Sequence, residues 1–292
     1  MMRFYGLLGE TLSHSLSPEI HGYLFRRLNI EAAYVLFPVA ADKLAEAVNG
    51  LRLLGAGGVN VTIPYKISIV PLLDELSVEA RMLGAVNTVL FRDGRAIGYN
   101  TDYDGFGLML QQHGIAAAGK TAVVLGTGGA ARTAAYWLRD HGAAAVKLVS
   151  RRPAGTEPFE TLPYDRLKVL PPTDLLVNAT PVGTYPHTEE TPLDRDLLSR
   201  FANLVDLIYN PPETRLLREA RQQGIPAVNG LTMLAAQAVA AEEIWQGRSL
   251  AGELLEPLGD FLAGLPERTP NLVLIGMPGS GKSTLGVWPR TG

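Results

Sequence analysis

Cysteine is absent from the 292-residue chain, which excludes disulfides and thiolate metal sites and suits a reducing compartment. Histidine is scarce, and His14, His21, His113, His141 and His187 lack metal-ligand spacing, so no bound metal is expected. There is no surplus of positive charge: 26 Lys and Arg face 29 Asp and Glu, for a formal net charge of -3. With no basic stripe along the chain, nucleic acid is not an expected partner. No window approaches the roughly 20 apolar residues of a membrane span. The segment from Met1 to Leu8 also lacks the charged and then apolar order of a signal peptide. A cytoplasmic protein without a membrane partner is the expectation.

What remains is the composition of a folded enzyme. Hydrophobic residues make up 47% and charged residues 19%, without low-complexity runs, and this argues against a disordered chain. The length suits a two-domain α/β enzyme or one large barrel. From Arg3 to about Phe91, short apolar runs alternate with amphipathic stretches in a βαβα rhythm. Ser17-Pro18 opens the first helix, with Ser17 expected to cap it and Pro18 to fill its first turn; Ile20, Leu24 and Leu28 then form one apolar face. Asp93-Gly94 marks a hairpin turn.

A second unit begins near Thr121, where the strand TAVVL runs into Gly126-Thr127-Gly128-Gly129-Ala130-Ala131 and a helix. This is the context of a dinucleotide fingerprint: Gly126 for the turn, Gly128 for approach of the pyrophosphate, and small Ala131 for helix–strand packing. The next strand ends at Ser150-Arg151-Arg152, where an acidic residue would have read the ribose hydroxyl of NAD; guanidinium groups there suit the 2′-phosphate of NADP. Between Arg152 and Pro172, five prolines make the following crossover short or irregular. Amphipathic patterns from Leu231 to Trp245 and from Leu250 to Leu262 close this part.

Four polar clusters interrupt the first unit: Ser13-His14-Ser15-Leu16-Ser17, Asn60 to Lys66, Asn87-Thr88, and Asn100-Thr101-Asp102. Turn and cap chemistry would explain any one of them. Four at the ends of expected strands indicate the edge where open α/β sheets bind ligands. The alternation in Asn60-Val61-Thr62 points Asn60 and Thr62 to one face. Paired serine hydroxyls ahead of a helix suit a carboxylate, and Lys66 with Asp102 is the ionisable pair able to move a proton.

With SHSLSP, NVTIPYK, GAVNT, NTDYDG, GTGGAAR, NATPVG, DLIYNPPET and NGLTMLAAQA in place, the chain from Met1 to about Leu265 resembles the shikimate dehydrogenase family. The resemblance implies an N-terminal α/β substrate domain, 1–102, completed by 238–264. It also implies a Rossmann NADP-binding domain, 103–237, with a catalytic cleft between the two. Ser15 and Ser17 would hold the substrate carboxylate; Asn60, Thr62, Asn87, Asp102 and Gln237 would bind ring hydroxyls, with Tyr209 nearby. Lys66, paired with Asp102, matches the catalytic lysine. Gly126, Thr127, Gly128, Gly129 and Ala130 match the pyrophosphate loop, Ser150 and Arg151 the 2′-phosphate positions, and Leu207 and Gly230 positions near the nicotinamide. The implied reaction is reversible, NADPH-dependent reduction of 3-dehydroshikimate to shikimate on the chorismate route to aromatic amino acids, by a monomer or homodimer. A quinate/shikimate dehydrogenase of relaxed specificity and a non-catalytic ligand-sensing homologue are the alternatives. Ser150 stands where the family often has Asn, and the crossover helix after it is shortened; both bear on NADP affinity.

After the linker at 264–270, Gly276-Met277-Pro278-Gly279-Ser280-Gly281-Lys282-Ser283 satisfies the P-loop pattern. It resembles the opening of a shikimate kinase, yet fewer than ten residues follow Ser283. A truncated or frame-shifted fragment without kinase activity is the expectation for 265–292.

Overall fold

The computed structural model describes residues 3–12, 15–153 and 158–264. Ser13 and His14 of the first polar cluster and the P-loop segment lie outside the described residues. The first half runs β1 (Arg3–Gly9), α1 (Ser17–Arg27), β2 (Ala32–Pro38), α2 (Leu44–Leu53), β3 (Gly58–Val61), α3 (Tyr65–Ser68), β4 (Glu75–Leu76), α4 (Val78–Leu83), β5 (Thr88–Arg92), β6 (Arg95–Tyr99) and α5 (Thr101–Gln112). The second runs β7 (Thr121–Leu125), α6 (Gly129–Asp140), β8 (Ala145–Val149), β9 (Glu160–Leu162), β10 (Thr173–Asn178), β11 (Phe201–Asp206), α7 (Arg215–Gln222), β12 (Ala227–Val228), α8 (Leu231–Gln246) and α9 (Ala251–Ala263).

These strands build two six-stranded sheets. In the first, ordered β2-β1-β3-β5-β6-β4, β1 lies parallel between β2 and β3, and β5–β6 is an antiparallel hairpin. Arg92 pairs with Arg95 across Asp93 (φ 52°) and Gly94 (φ 73°), the left-handed pair that a two-residue hairpin needs. The second sheet is parallel throughout, ordered β12-β11-β10-β7-β8-β9, which is the doubly wound Rossmann order. Its strands are apolar runs because helices cover both faces. On one face Ala131, Ala134 and Ala135 of α6 are buried against the strands, small enough to let the helix lie close. The irregular crossover expected after Arg152 is present: only β9 and a 3-10 segment occupy its described part.

Two helices join the halves. α5 leads from the first sheet to the second, α8 leads back from β12, and the two pack along each other. The expected boundaries at 102/103 and 237/238 fall inside these helices. α8 is apolar nearly all round because it is buried among α1, α5 and α9. At the start of α1 the structure departs from expectation. Pro18 does occupy the first turn, but Ser17 does not cap the helix; Leu16 stands at the cap position with no side-chain bond. Ser15 Oγ instead accepts the Ser17 N–H (3.2 Å), and the Ser17 hydroxyl is turned towards the cleft described next.

Candidate active site

Every strand of the first sheet that leads into a polar cluster ends on the same side, so four chain segments converge. Ser15 and Ser17 follow β1, Asn60 lies near the end of β3 with Thr62 just after it, Asn87 precedes β5, and Asp102 lies in the first turn of α5 after β6. All six line one cleft of about 240 Å³ together with Lys66 from α3, Tyr209 after β11 and Gln237 of α8. Leu207 and Gly230 complete its far wall. Gly230 is required by a close approach: a Cβ there would overlap the Leu207 carbonyl.

The polar walls are tied down. Asn60 accepts from the Tyr34 hydroxyl (2.7 Å) and donates to Thr88 Oγ1 (3.1 Å); Asn87 accepts the Thr101 N–H (2.8 Å) and donates to Thr101 Oγ1 (3.0 Å). Asn100 caps α5 by accepting the Asp102 N–H (3.2 Å). Asp102 therefore sits in the first turn, where the helix dipole favours an anion. Its Oδ2 accepts from Lys66 Nζ at 2.6 Å, and the two side chains retain 11% and 22% of their exposure. That remainder leaves the ammonium reachable from the cleft while fixing where it points. Burial pushes the Tyr209 phenol above its ordinary range, so it stays a neutral hydrogen-bonding group.

A second cleft of about 810 Å³ adjoins the first, and Lys66 and Ala130 line both. It lies at the switch point between β7 and β10, where doubly wound sheets bind dinucleotides. Gly126, Thr127, Gly128, Gly129 and Ala130 form one side. Gly126 has φ +108°, a conformation that disfavours a side chain, and a Cβ there would stand 3.1 Å from the Ala179 carbonyl oxygen. No side chain caps α6 at Gly128, so its first N–H groups are free to meet a pyrophosphate. Ser150 and Arg151 line the end of the cleft beside Tyr164. Arg152 does not line it: its backbone N–H donates to Ser150 Oγ (3.2 Å), and its side chain is exposed.

The sheet edge beneath this cleft is held by a buried carboxylate that sequence reasoning passed over. Asp206, at the end of β11, accepts from Asn178 Nδ2 (3.0 Å), the Ile208 N–H (3.1 Å) and Thr214 Oγ1 (2.6 Å). Asn178 in turn holds Thr180, which lines the cleft, through both its N–H (3.1 Å) and its hydroxyl (2.7 Å). Burial raises the Asp206 pKa to about 6, outweighing the three donors.

Comparisons with known proteins show what the chain is related to. The model of the shikimate dehydrogenase substrate binding domain matches residues 7–89. A shikimate dehydrogenase (NADP(+)) of Clostridium beijerinckii is 44% identical over 262 residues, 88% of this chain and 97% of the relative. The chain belongs to the shikimate dehydrogenase family. Among solved structures, a chorismate mutase/shikimate 5-dehydrogenase fusion protein from Clostridium acetobutylicum superposes with a TM-score of 0.88 at 41% identity, covering 91% of this chain and 99% of that one. The shikimate 5-dehydrogenase of Thermus thermophilus, solved with NADP(H) and shikimate, gives 0.80 at 35% identity, covering 89% and 100%.

The two adjoining clefts differ in lining: the smaller is ringed by polar side chains and the larger by the glycine loop. The free α6 terminus, the Gly126 turn and Arg151 together fit NADP. Several lining residues were not singled out beforehand: Leu7, Met233 and Leu234 in the smaller cleft, and Ile63, Tyr164, Thr180 and Glu190 in the larger. Thr180 carried a signal, since it follows the strand-ending Asn178 in the same way that Thr62 follows Asn60. The apolar residues carried none, because a core residue and a cleft-lining residue share one composition. Among the described residues, no group of His, Asp and Glu could hold a metal ion, and no helix is long and apolar enough to cross a membrane.

Proposed function

We propose that this chain is an NADP-dependent shikimate dehydrogenase that reversibly reduces the ketone of 3-dehydroshikimate to the hydroxyl of shikimate. The observation that carries the reading is the Lys66–Asp102 contact of 2.6 Å at the place where the two clefts meet. A proton donor between a small polar cleft and a dinucleotide cleft is what reduction of a carbonyl requires. Bound NADPH supplies the hydride that reaches the carbonyl carbon.

The chain's own residues do the rest. Lys66 Nζ gives its proton to the carbonyl oxygen as negative charge develops there. Asp102 holds the ammonium in place and accepts a substrate hydroxyl with the rest of its carboxylate. Ser15 and Ser17 bind the substrate carboxylate, while Asn60, Thr62, Asn87 and Gln237 read the ring hydroxyls, with Tyr209 beside them. Leu207 and Gly230 shape the wall next to the reacting carbon. Gly126, Thr127, Gly128, Gly129 and Ala130 take the pyrophosphate, and Ser150 and Arg151 the 2′-phosphate, since a guanidinium matches phosphate in bidentate fashion. In the reverse direction Lys66 takes up the proton, and because oxidation of shikimate releases a proton overall, its equilibrium shifts towards the ketone as pH rises.

The domains follow from this assignment: 1–102 with 238–264 bind substrate, and 103–237 bind NADP, with α5 and α8 as the connection. All of these residues come from one chain, so a monomer or a homodimer serves equally. A cysteine-free biosynthetic enzyme of this kind suits a reducing cytoplasm. Shikimate and NADP added to purified protein at mildly alkaline pH produce NADPH absorbance; its absence overturns the assignment, and faster turnover of quinate would replace the substrate.

A further inference from the structure

A buried aromatic and charged cluster backs the wall of the smaller cleft that holds Asn60. Tyr34, on the edge strand β2, is not itself among the residues lining the cleft. Its hydroxyl donates to Asn60 Oδ1 at 2.7 Å and is hydrogen-bonded by the Ser17 hydroxyl. Ser15 Oγ donates to Ser17 Oγ (3.1 Å) at one end, and at the other Asn60 Nδ2 donates to Thr88 Oγ1 (3.1 Å), which donates to Asn87 Oδ1 (3.1 Å). Asn87 then bonds Thr101, the residue before Asp102. The bonds form a continuous run from the serine pair to the helix that carries Asp102. Tyr34 is the joint at which the serine end meets the amide end.

We infer that Tyr34 is a positioning residue for substrate recognition: its hydroxyl fixes the orientation of the Asn60 amide and the Ser17 hydroxyl, and a buried His21–Glu242 pair holds its ring in place. With Nδ2 spent on Thr88 and one Oδ1 lone pair on Tyr34, Asn60 keeps one acceptor lone pair for a substrate hydroxyl. Without the Tyr34 donor the amide can turn over and offer N–H where an acceptor is needed.

The ring packs against the cluster of Tyr5, Phe25 and Trp245. The holding is done from below. His21 of α1 stacks on Tyr34 with ring centroids 4.3 Å apart and planes 2° apart. His21 Nδ1 donates to Glu242 Oε1 of α8 at 2.7 Å, with the two side chains 2% and 0% exposed, and Glu242 Oε2 accepts from Gln246 Nε2 at 3.1 Å. Trp245 closes the cluster, tilted over His21 at 5.2 Å. Burial raises the Tyr34 pKa well above its ordinary value, so the phenol keeps its proton and remains a donor. A buried His–carboxylate pair is a costly way to fill a core. Its placement flat against a phenol that touches two cleft residues gives it a use. The same helix, α8, carries Gln237 on the cleft wall, so one rigid element sets both sides.

The inference rests on the proposed function, and its test separates the two. Tyr34→Phe keeps the ring and its stack on His21 and removes only the hydroxyl. Expected are a rise of about three- to tenfold in KM for shikimate, kcat within about twofold, an unchanged KM for NADP, and a melting midpoint close to that of wild type. In an Asn60→Ala background the same change raises KM for shikimate by less, because one of the two groups it positions is gone. An unaltered KM in Tyr34→Phe, with or without a lower melting midpoint, overturns the inference, as does an equal rise in the Asn60→Ala background. A wild-type chain that oxidises no shikimate overturns the functional reading and the inference with it.

Discussion

Asp206 offers a measurable link between the cofactor cleft and folding. Its carboxyl is fully buried, and its pKa rises from 3.8 to about 6 because burial costs the anion more than Asn178, Ile208 and Thr214 return. The folded state therefore holds a proton at pH values where the unfolded chain has released it. Stability from this group is greatest below the unfolded value and is lost as pH rises through about 6. A shift of about 2 units is worth about 3 kcal/mol, of which about 2 kcal/mol falls between pH 4.5 and 7. Asp206→Asn removes the titration and leaves the shape. Urea unfolding of both proteins at pH 4.5, 5.5, 6.5 and 7.5 gives two stability curves, and every other titrating group cancels in their difference. Wild type gains on the variant by about 2 kcal/mol as pH falls from 7 to 4.5. Curves that stay parallel across this window, or a difference of opposite slope, refute the reasoning.

Three further outcomes bear on the site. Lys66→Ala and Asp102→Ala each slow turnover of shikimate with NADP by about 10²- to 10⁴-fold, read from NADPH absorbance; near-normal turnover in either removes the proposed proton donor. Arg151→Ala raises KM for NADP by about tenfold or more, the value of a charge-assisted bond to phosphate, and leaves KM for NAD nearly unchanged; equal effects on both would place the 2′-phosphate elsewhere. Gly126→Ala imposes strain of about 1–3 kcal/mol at φ +108° against the Ala179 carbonyl, so NADP affinity by fluorescence titration and the melting midpoint both fall.

Much of the site was legible because its parts are local. A glycine loop between an apolar strand and a helix is read from consecutive residues, and so are Ser150-Arg151 and the polar clusters at strand ends. The Asp93-Gly94 turn is equally local, since two left-handed residues must be supplied at the turn itself. The cap at Ser17 was read wrongly for the converse reason. A serine before a helix bonds either the helix or a tertiary partner, and only the fold places Tyr34 within its reach.

By itself the sequence determined that this chain folds as alternating strands and helices, carries a dinucleotide loop with basic residues after its second strand, and keeps Lys66 and Asp102 among oxygen-rich strand ends. The tertiary structure decided what no spacing contains. It brought Lys66 of α3 and Asp102 of α5 to 2.6 Å, excluded Arg152 from the cleft, set Asp206 beneath the cofactor floor, and joined His21, Tyr34 and Glu242 from α1, β2 and α8. Strand and helix periods follow from chemistry within a few residues of each other. Contacts between groups tens or hundreds of residues apart depend on how the sheets twist and which helices cover them.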